Sequence, residues 1–221
     1  MQYKQPLKIL ILAAEIVPFA KVGGLADVVG ALPKSLQALG HDVRLAMPRY
    51  GQIDPARFDL QTVLDAVTVN MSNFRVQVSV RQGNIGTEIP VYMIDAPRYF
   101  ERENIYGYTD DGERFILFCR SVLEAMRALD WSPDIIHCHD WHTGIVPNWM
   151  HTIYREDPFY ADVASVYTIH NLAYQGIFGY RILEVAGVAA QGFLYPQIAE
   201  LANVVDIMGR GILFADAITT V

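Results

Sequence analysis

The chain has 221 residues, of which 52% are hydrophobic and 19% are charged, so it can bury a substantial core and is not disordered by composition. Its formal net charge is -7 and its 17 basic residues are scattered along the chain. This distribution argues against a nucleic-acid partner, because phosphate backbones select basic stripes. No apolar run is long enough to span a membrane, which argues against a membrane partner.

The cysteines and the amino-terminal pattern predict a cytoplasmic protein. Cys119 and Cys138 fall in helix-like and strand-like segments, which is no disulfide framework and suits a reducing compartment. Lys4 and Lys8 precede ILILAA, as in a secretion signal, but Glu15 ends that apolar run too early. We therefore interpret the run as a strand.

Strand and helix patterns alternate from the start of the chain. Residues 8–14, which are continuously apolar after Lys8, are typical of a strand covered on both faces. A helix follows in which Pro33 should cause a bend and Gly40 stands at the C-terminal cap; its apolar positions are Leu25, Val28, Val29, Leu32, Leu36 and Leu39. DVRLAMP then predicts a second strand, so this stretch is a βαβ unit of a parallel sheet.

The middle of the chain changes to a period of two. Residues 67–95 predict a β meander in which RQGNIGTE is a turn and PVYMID is the last strand. Residues 112–129 return to helical spacing, and the strand DIIHCHD follows. A helix with Pro147 and Trp149, the strand ASVYTIH and two helical stretches lead to ITTV, which predicts a buried final strand. This order predicts one α/β domain with a doubly wound, mostly parallel sheet.

The loop KVGGL follows the first strand, where open parallel sheets bind ligands. Gly23 and Gly24 allow close approach to the backbone, the next helix starts with unpaired amides, and Lys21 adds a positive charge. These features suit a phosphate or diphosphate. The glycine spacing is neither a dinucleotide fingerprint nor a phosphate-loop motif, so a tight turn with a surface lysine is an equal alternative.

Two later strands end in histidines. His137 and His139 lie on the same side of a strand, with Asp140 and His142 at its carboxyl end, so a zinc site built from the three histidines is one alternative. Hydrogen-bonded histidines at a sheet end are the other. ASVYTIHN ends in His170 and Asn171, which predicts ligand contact.

Seven stretches in chain order resemble the bacterial glycogen synthases and plant starch synthases that use ADP-glucose. They are AAEIVPFAKVGGLADVVGALPKSL, GHDVRLAMPRYG, VYMIDAPRYF, YTDDGERF, PDIIHCHDWHTG, YTIHNLAYQG and GILFADAITTV. The resemblance implies a retaining glucosyltransferase with two Rossmann-like domains and the active site in the cleft between them. Such enzymes transfer glucose from ADP-glucose to the non-reducing end of an α-1,4-glucan without a metal or other cofactor.

The resemblance also implies a division of the protein. Residues 1–221 match the N-terminal, acceptor-side domain, and the C-terminal nucleotide-binding domain is expected to be absent from this chain. We therefore expect the chain alone to be inactive, with its donor and its glucan as partners of the complete enzyme. A metal-dependent hydrolase using HCHDWH and a non-catalytic glucan-binding module are the alternatives.

By resemblance, the first loop meets the donor. Lys21, Gly23 and Gly24 match the motif that contacts the diphosphate and glucose, and Asp27 would fix this loop. Lys21 would offset the charge that grows on the departing ADP.

The resemblance assigns sugar contacts to the later loops. His170 matches the histidine beside the transferred glucose, Asn171 is its neighbour, and Asp140 would orient sugar hydroxyls. Tyr99 and Tyr174 are further candidates for glucan contact.

Overall fold

A computed structural model describes residues 5–72, 74–86, 88–192 and 203–221. Within them, an eight-stranded sheet has the order β10-β7-β6-β1-β2-β5-β4-β3. Its strands are β1 Lys8–Leu12, β2 Asp42–Pro48, β3 Gln61–Asn70, β4 Arg75–Ile85, β5 Ile89–Asp95, β6 Ile135–His139, β7 Ala164–Ile169 and β10 Ala217–Thr220. Strands from β10 to β5 in this order are parallel, whereas β4 and β3 are antiparallel. The predicted α/β class with a mostly parallel sheet is confirmed.

The helices flank this sheet. They are α1 Leu25–Ala38, α2 Pro97–Phe100, α3 Asp111–Ala128, α4 Ile145–Met150, α5 Arg181–Ala186 and α6 Ile207–Phe214, with 3₁₀ turns at Trp141–Thr143 and Ala189–Gln191. A separate two-stranded sheet pairs β8 Ile177–Gly179 with β9 Val204–Asp206. Among the described residues, no helix is both long enough and apolar enough to cross a membrane.

The first βαβ unit forms as its pattern predicts. β1 lies between β6 and β2, and its residues Leu10, Ile11 and Leu12 are fully buried because both faces of the sheet are covered. Helix α1 continues through Pro33, and Gly40 has φ +95°, the left-handed conformation that ends helices. The bend at Pro33 stays a prediction.

The predicted meander exists, but the turn within it was misplaced. β4 continues through most of RQGNIGTE and pairs with β5 as far as Ile85, so only a short turn around Gly86 remains. The turn was predicted here because the stretch contains Gly83, which in fact lies within β4. A Cβ at this position would stand 2.6 Å from a side-chain methyl of Leu60, so this glycine serves close packing inside a strand.

The final strand was predicted as buried, and that prediction is wrong. Among the described strands, β10 pairs only with β7, at the edge of the sheet, and each of its four residues is exposed. Its position is fixed by Asp216, whose carboxylate accepts hydrogen bonds from the amide and the hydroxyl of Ser165 at 2.7 and 2.9 Å. An apolar composition cannot distinguish an edge strand from a central one.

Candidate active site

Three strands of the parallel sheet end at one cavity of about 680 Å³. The loops after β1, β6 and β7 form its walls, and the segment before α3 closes one side. The strand order reverses at β1, because β2 lies on one side of it and β6 on the other, and such a switch point is where open α/β sheets bind ligands. The lining residues that matter below are Glu15, Gly23, Gly24, Tyr106, Asp140, Trp141, His142, His170, Asn171 and Tyr174.

Glu15 organises the first loop, a role that sequence reasoning missed. Its carboxylate is buried, and it accepts hydrogen bonds from the amide of Val22 and, at 2.9 Å, from the amide of Gly23. The hydroxyl of Tyr106 donates to its other oxygen at 2.6 Å. An acidic residue at the end of a buried strand was the available signal. The amide of Gly23 is therefore already engaged within the protein.

The two glycines of KVGGL are not required by the fold. Neither has a positive φ, and a Cβ on Gly23 or Gly24 would meet no atom of the described part of the chain within 4 Å. Gly24 is the N-cap of α1, and no side chain among the described residues caps this helix. A tight turn therefore does not by itself explain the two glycines, although Lys21 lies on the surface as that alternative expects. The open space above the loop fits close approach of a ligand to a helix N-terminus.

Lys21 and Asp27 form a salt bridge between the loop and the first turn of α1. The Lys21 Nζ atom lies 2.7 Å from each carboxylate oxygen of Asp27, and both side chains are about half exposed, at 51% and 56%. Asp27 thus contacts the loop through Lys21, and its expected role in fixing the loop stays a prediction. Because an exposed ion pair contributes little stability, ~0–1 kcal/mol, Lys21 can exchange this partner for a ligand anion at small cost.

Asp140 connects the ends of β6 and β7. It has φ 56° and ψ −179°, an uncommon conformation for a residue other than glycine. Its carboxylate accepts the amide of His170 at 2.7 Å and that of Asn171 at 3.4 Å. Burial raises the pKa of this carboxyl group above its ordinary value, while the hydrogen bond from His170 opposes the increase. Asp140 thus holds the backbone of the β7 loop in place.

His170 is bonded through its ring to His139. The His170 Nε2 atom lies 2.8 Å from Nδ1 of His139, which is fully buried. The ring of His137 stacks on that of His139 at 4.2 Å and lies 2.6 Å from the hydroxyl of Thr168. Burial lowers the pKa of all three histidines, that of His137 to about 4. They are therefore neutral at pH 7.

The structure does not assemble the three-histidine zinc site. The ring of His142 packs against Trp141, Phe115 and Tyr106 with centroid distances of 4.1, 4.6 and 4.9 Å. Burial lowers its pKa to about 3. Within the described ranges, no group of three His, Cys, Asp or Glu side chains is placed to hold a metal ion. The hydrogen-bonded alternative describes His137 and His139 correctly.

The two tyrosine candidates lie in different places, and only one of them lines the cavity. Tyr174 is 69% exposed and lines the cavity, as does Asn171. Tyr99 is buried, donates to Glu113 at 3.2 Å and lines a different cavity of about 560 Å³. The structure therefore does not bring Tyr99 to the other candidate residues. The ring of Tyr99 in the segment DAPRYF points into the core, and the composition of the segment could not indicate this.

Known proteins resemble the chain along nearly its whole length. The family model described as the starch synthase catalytic domain matches residues 8–221. The chain is 44% identical over 219 residues to glycogen synthase of Moorella thermoacetica, covering 98% of this chain and 44% of that protein. It is also 44% identical over 232 residues to glycogen synthase of Desulforudis audaxviator, covering 99% of this chain and 45% of that protein.

A solved structure shares the fold along nearly the whole chain. It is the catalytic domain of starch synthase IV from Arabidopsis thaliana bound to ADP and acarbose, with a TM-score of 0.89 and 32% identity, covering 98% of this chain and 45% of that one. The chain thus spans less than half the length of these relatives. The cavity at the strand ends lies where sheets of this kind bind ligands. Because the family model and these relatives match nearly the whole chain, the chain belongs to the glycogen and starch synthase family of glycosyltransferases.

Proposed function

We propose that this chain is the acceptor-side half of an enzyme that transfers glucose from ADP-glucose to the non-reducing end of an α-1,4-glucan with retention. The family supports the reaction class, and the Arabidopsis relative was solved with ADP and acarbose. Residues 1–221 would form the N-terminal domain, and a nucleotide-binding domain would complete the cleft. Because the chain spans under half of its relatives, the substrates, that second domain and the cytoplasmic location are part of the proposal.

One observation carries the proposal. Gly23 and Gly24 border the cavity, yet no described residue occupies the space that a side chain there would fill. Helix α1 begins at this point, and no side chain in the described ranges caps it. An uncapped helix N-terminus with open space above it and a neighbouring cation suits the diphosphate of a sugar nucleotide.

The charges around the cavity support different positions for two parts of the donor. Lys21 belongs to the glycine loop beside the cavity and does not line it, and the Glu15 carboxylate there is already bonded to the loop amides, whereas Asp140 lines the cavity next to His170. A diphosphate would be repelled by Asp140, but sugar hydroxyls can donate to it. We therefore place the diphosphate at the loop and the glucose toward Asp140, His170 and Asn171.

Four side chains would then take part in the transfer. The bond between the glucose C1 atom and the diphosphate oxygen breaks and its electron pair leaves with ADP, while C1 forms a bond to the 4-hydroxyl oxygen of the glucan end, whose proton passes to the departing diphosphate. Lys21 would offset the charge developing on ADP after release from Asp27. His170 would hydrogen-bond the sugar as its ring gains positive character, and Asp140 would orient the sugar hydroxyls. Tyr174, exposed at the rim, would contact the glucan.

The test is glucosyl transfer by a fused protein. Residues 1–221 are joined to the part of the Moorella thermoacetica glycogen synthase that follows its matched segment, and glucose incorporation from ADP-glucose into maltoheptaose is measured. We expect transfer by the fusion, none by residues 1–221 alone, and a loss of about 100-fold or more with His170→Ala.

The matched control is His151→Ala. His151 lies away from the cavity, is about half exposed, and is 3.5 Å from Asp216. Its loss should leave the rate unchanged. A folded fusion that binds maltoheptaose but transfers no glucose, or an unchanged rate with His170→Ala, would overturn the proposal.

A further inference from the structure

The contact between His139 and His170 restricts where the two imidazole rings carry their protons. Their facing nitrogens, Nδ1 of His139 and Nε2 of His170, are 2.8 Å apart, so one of them must donate a proton and the other must accept it. Burial lowers the pKa of both side chains, so each ring carries a single proton at pH 7. Two arrangements of these protons are possible.

The second nitrogen of His139 distinguishes them. Its Nε2 atom is buried and has no hydrogen-bond partner among the described residues. If His170 donated, His139 would carry its proton on Nε2, as a buried N–H group without an acceptor. If His139 donates, Nε2 carries only a lone pair. Orphaned buried N–H groups are rarer in proteins than under-satisfied acceptors, so the second arrangement is favoured.

This arrangement determines what His170 offers to a ligand. With Nε2 accepting from His139, the proton of His170 lies on Nδ1. His170 lines the cavity, and Nδ1 has no partner in the part of the chain that the structure describes and is not among the buried unpaired atoms. His170 therefore presents an N–H donor and no free lone pair.

We propose that His139 is a positioning residue that holds His170 in its Nδ1–H form, so that His170 recognises an acceptor oxygen of a sugar and does not act as a base. Glu15 and Asp140 line the same cavity, so an uncharged sugar oxygen suits this end better than a phosphate oxygen. The ligand class rests on the function proposed above, whereas the tautomer does not.

The imidazole nitrogens report the tautomer directly. The 221-residue chain is labelled with ¹⁵N-histidine, and long-range ¹H–¹⁵N correlation spectra are recorded at about pH 7.5. We expect Nδ1 of His170 to be protonated and Nε2 to be unprotonated in the wild-type chain. In His139→Leu the His170 signals should move toward the Nε2–H form, because the donor is gone.

His137→Gln is the matched control, since His137 stacks on His139 but bonds to Thr168. It should leave the tautomer of His170 unchanged. In the fused protein, His139→Leu should lower kcat about 10- to 100-fold while KM for maltoheptaose changes little, as expected for lost orientation.

The wild-type spectrum decides the matter even if His139→Leu fails to fold. A wild-type His170 protonated on Nε2, or an unchanged tautomer in His139→Leu, would overturn this inference while leaving glucosyl transfer intact. Conversely, the expected spectra together with an inactive fusion would count against the proposed function alone.

Discussion

The carboxylate of Glu15 holds the hydroxyl of Tyr106 at 2.6 Å, across 91 residues of sequence. The same carboxylate accepts the amides of Val22 and Gly23. One buried side chain therefore ties the loop after β1 to the segment before α3, and these are two walls of the cavity. The shape of the glycine loop depends on this contact.

Substituting Tyr106 and substituting Glu15 should lower the free energy of unfolding by different amounts. Tyr106→Phe loses one hydrogen bond but keeps the ring that packs on His142, so we expect a loss of ~1 kcal/mol in unfolding free energy. Glu15→Ala leaves three donors without their acceptor, so we expect a loss of ~3 kcal/mol or more. Urea denaturation measures both. Equal losses, or none in Glu15→Ala, would contradict this role for Glu15.

The glycine loop should tolerate a side chain in the free protein but not with a ligand. Gly23→Ala meets open space, so we expect its stability to stay within ~1 kcal/mol of wild type. Gly176→Ala is the contrast, because Gly176 has φ +67° and its Cβ would lie 2.6 Å from the Trp141 ring. It should lose ~1–3 kcal/mol.

The fused protein completes this comparison. Glucosyl transfer by Gly23→Ala should fall at least tenfold, because the added methyl occupies the space expected for the diphosphate. An unchanged rate in this stable variant would show that the ligand does not approach the loop closely.

The ion pair between Lys21 and Asp27 should matter for the ligand and not for the fold. Lys21→Met and Asp27→Asn should each change the unfolding free energy by less than ~1 kcal/mol, since both side chains are about half exposed. Lys21→Met should weaken ADP binding by the fused protein, whereas Asp27→Asn should not, because it leaves the cation free. Calorimetric titration measures the two affinities, and equal weakening in both variants would indicate that the pair acts only as a loop clamp.

Buried neutral histidines should make the fold sensitive to mild acid. His137 and His142 have pKa values of about 4 and about 3 in the folded chain against an ordinary value of 6.5. Between the folded and the ordinary pKa values, the unfolded chain binds more protons than the folded chain. The free energy of unfolding is therefore highest above about pH 6.5 and decreases as the pH falls toward 4, by ~1.4 kcal/mol per pH unit for each group.

A single substitution isolates one of these groups. His142→Phe keeps an aromatic ring between Tyr106 and Trp141 but cannot take up a proton. Its unfolding free energy should fall less steeply than that of wild type between about pH 6.5 and 4. Parallel curves for the two proteins would show that His142 does not contribute to the acid sensitivity.

Local patterns predicted much of the fold and part of the site. Continuous apolar residues in β1 and the later strand ends placed the loops carrying Lys21, Asp140 and His170 at one edge of the sheet, and the structure brings these loops to one cavity. These signals are local, because strand direction and side-chain alternation follow from neighbouring residues.

The rest depends on contacts between distant segments. Glu15 meets Tyr106 and His139 meets His170 only after the sheet has formed, and no spacing in the sequence encodes either pair. Tyr99 turns inward to Glu113, and β10 is exposed because no described strand follows it in the sheet. Burial and pairing across the sheet are properties of the assembled fold.

Locating ligands on the chain itself tests the proposed site most directly. Amide ¹H–¹⁵N spectra of residues 1–221 are recorded during titration with ADP-glucose and with maltoheptaose at millimolar concentrations. We predict the largest shift changes at Gly24, His170 and Asn171. Changes confined to the cavity beside Tyr99, or none in either titration, would contradict it.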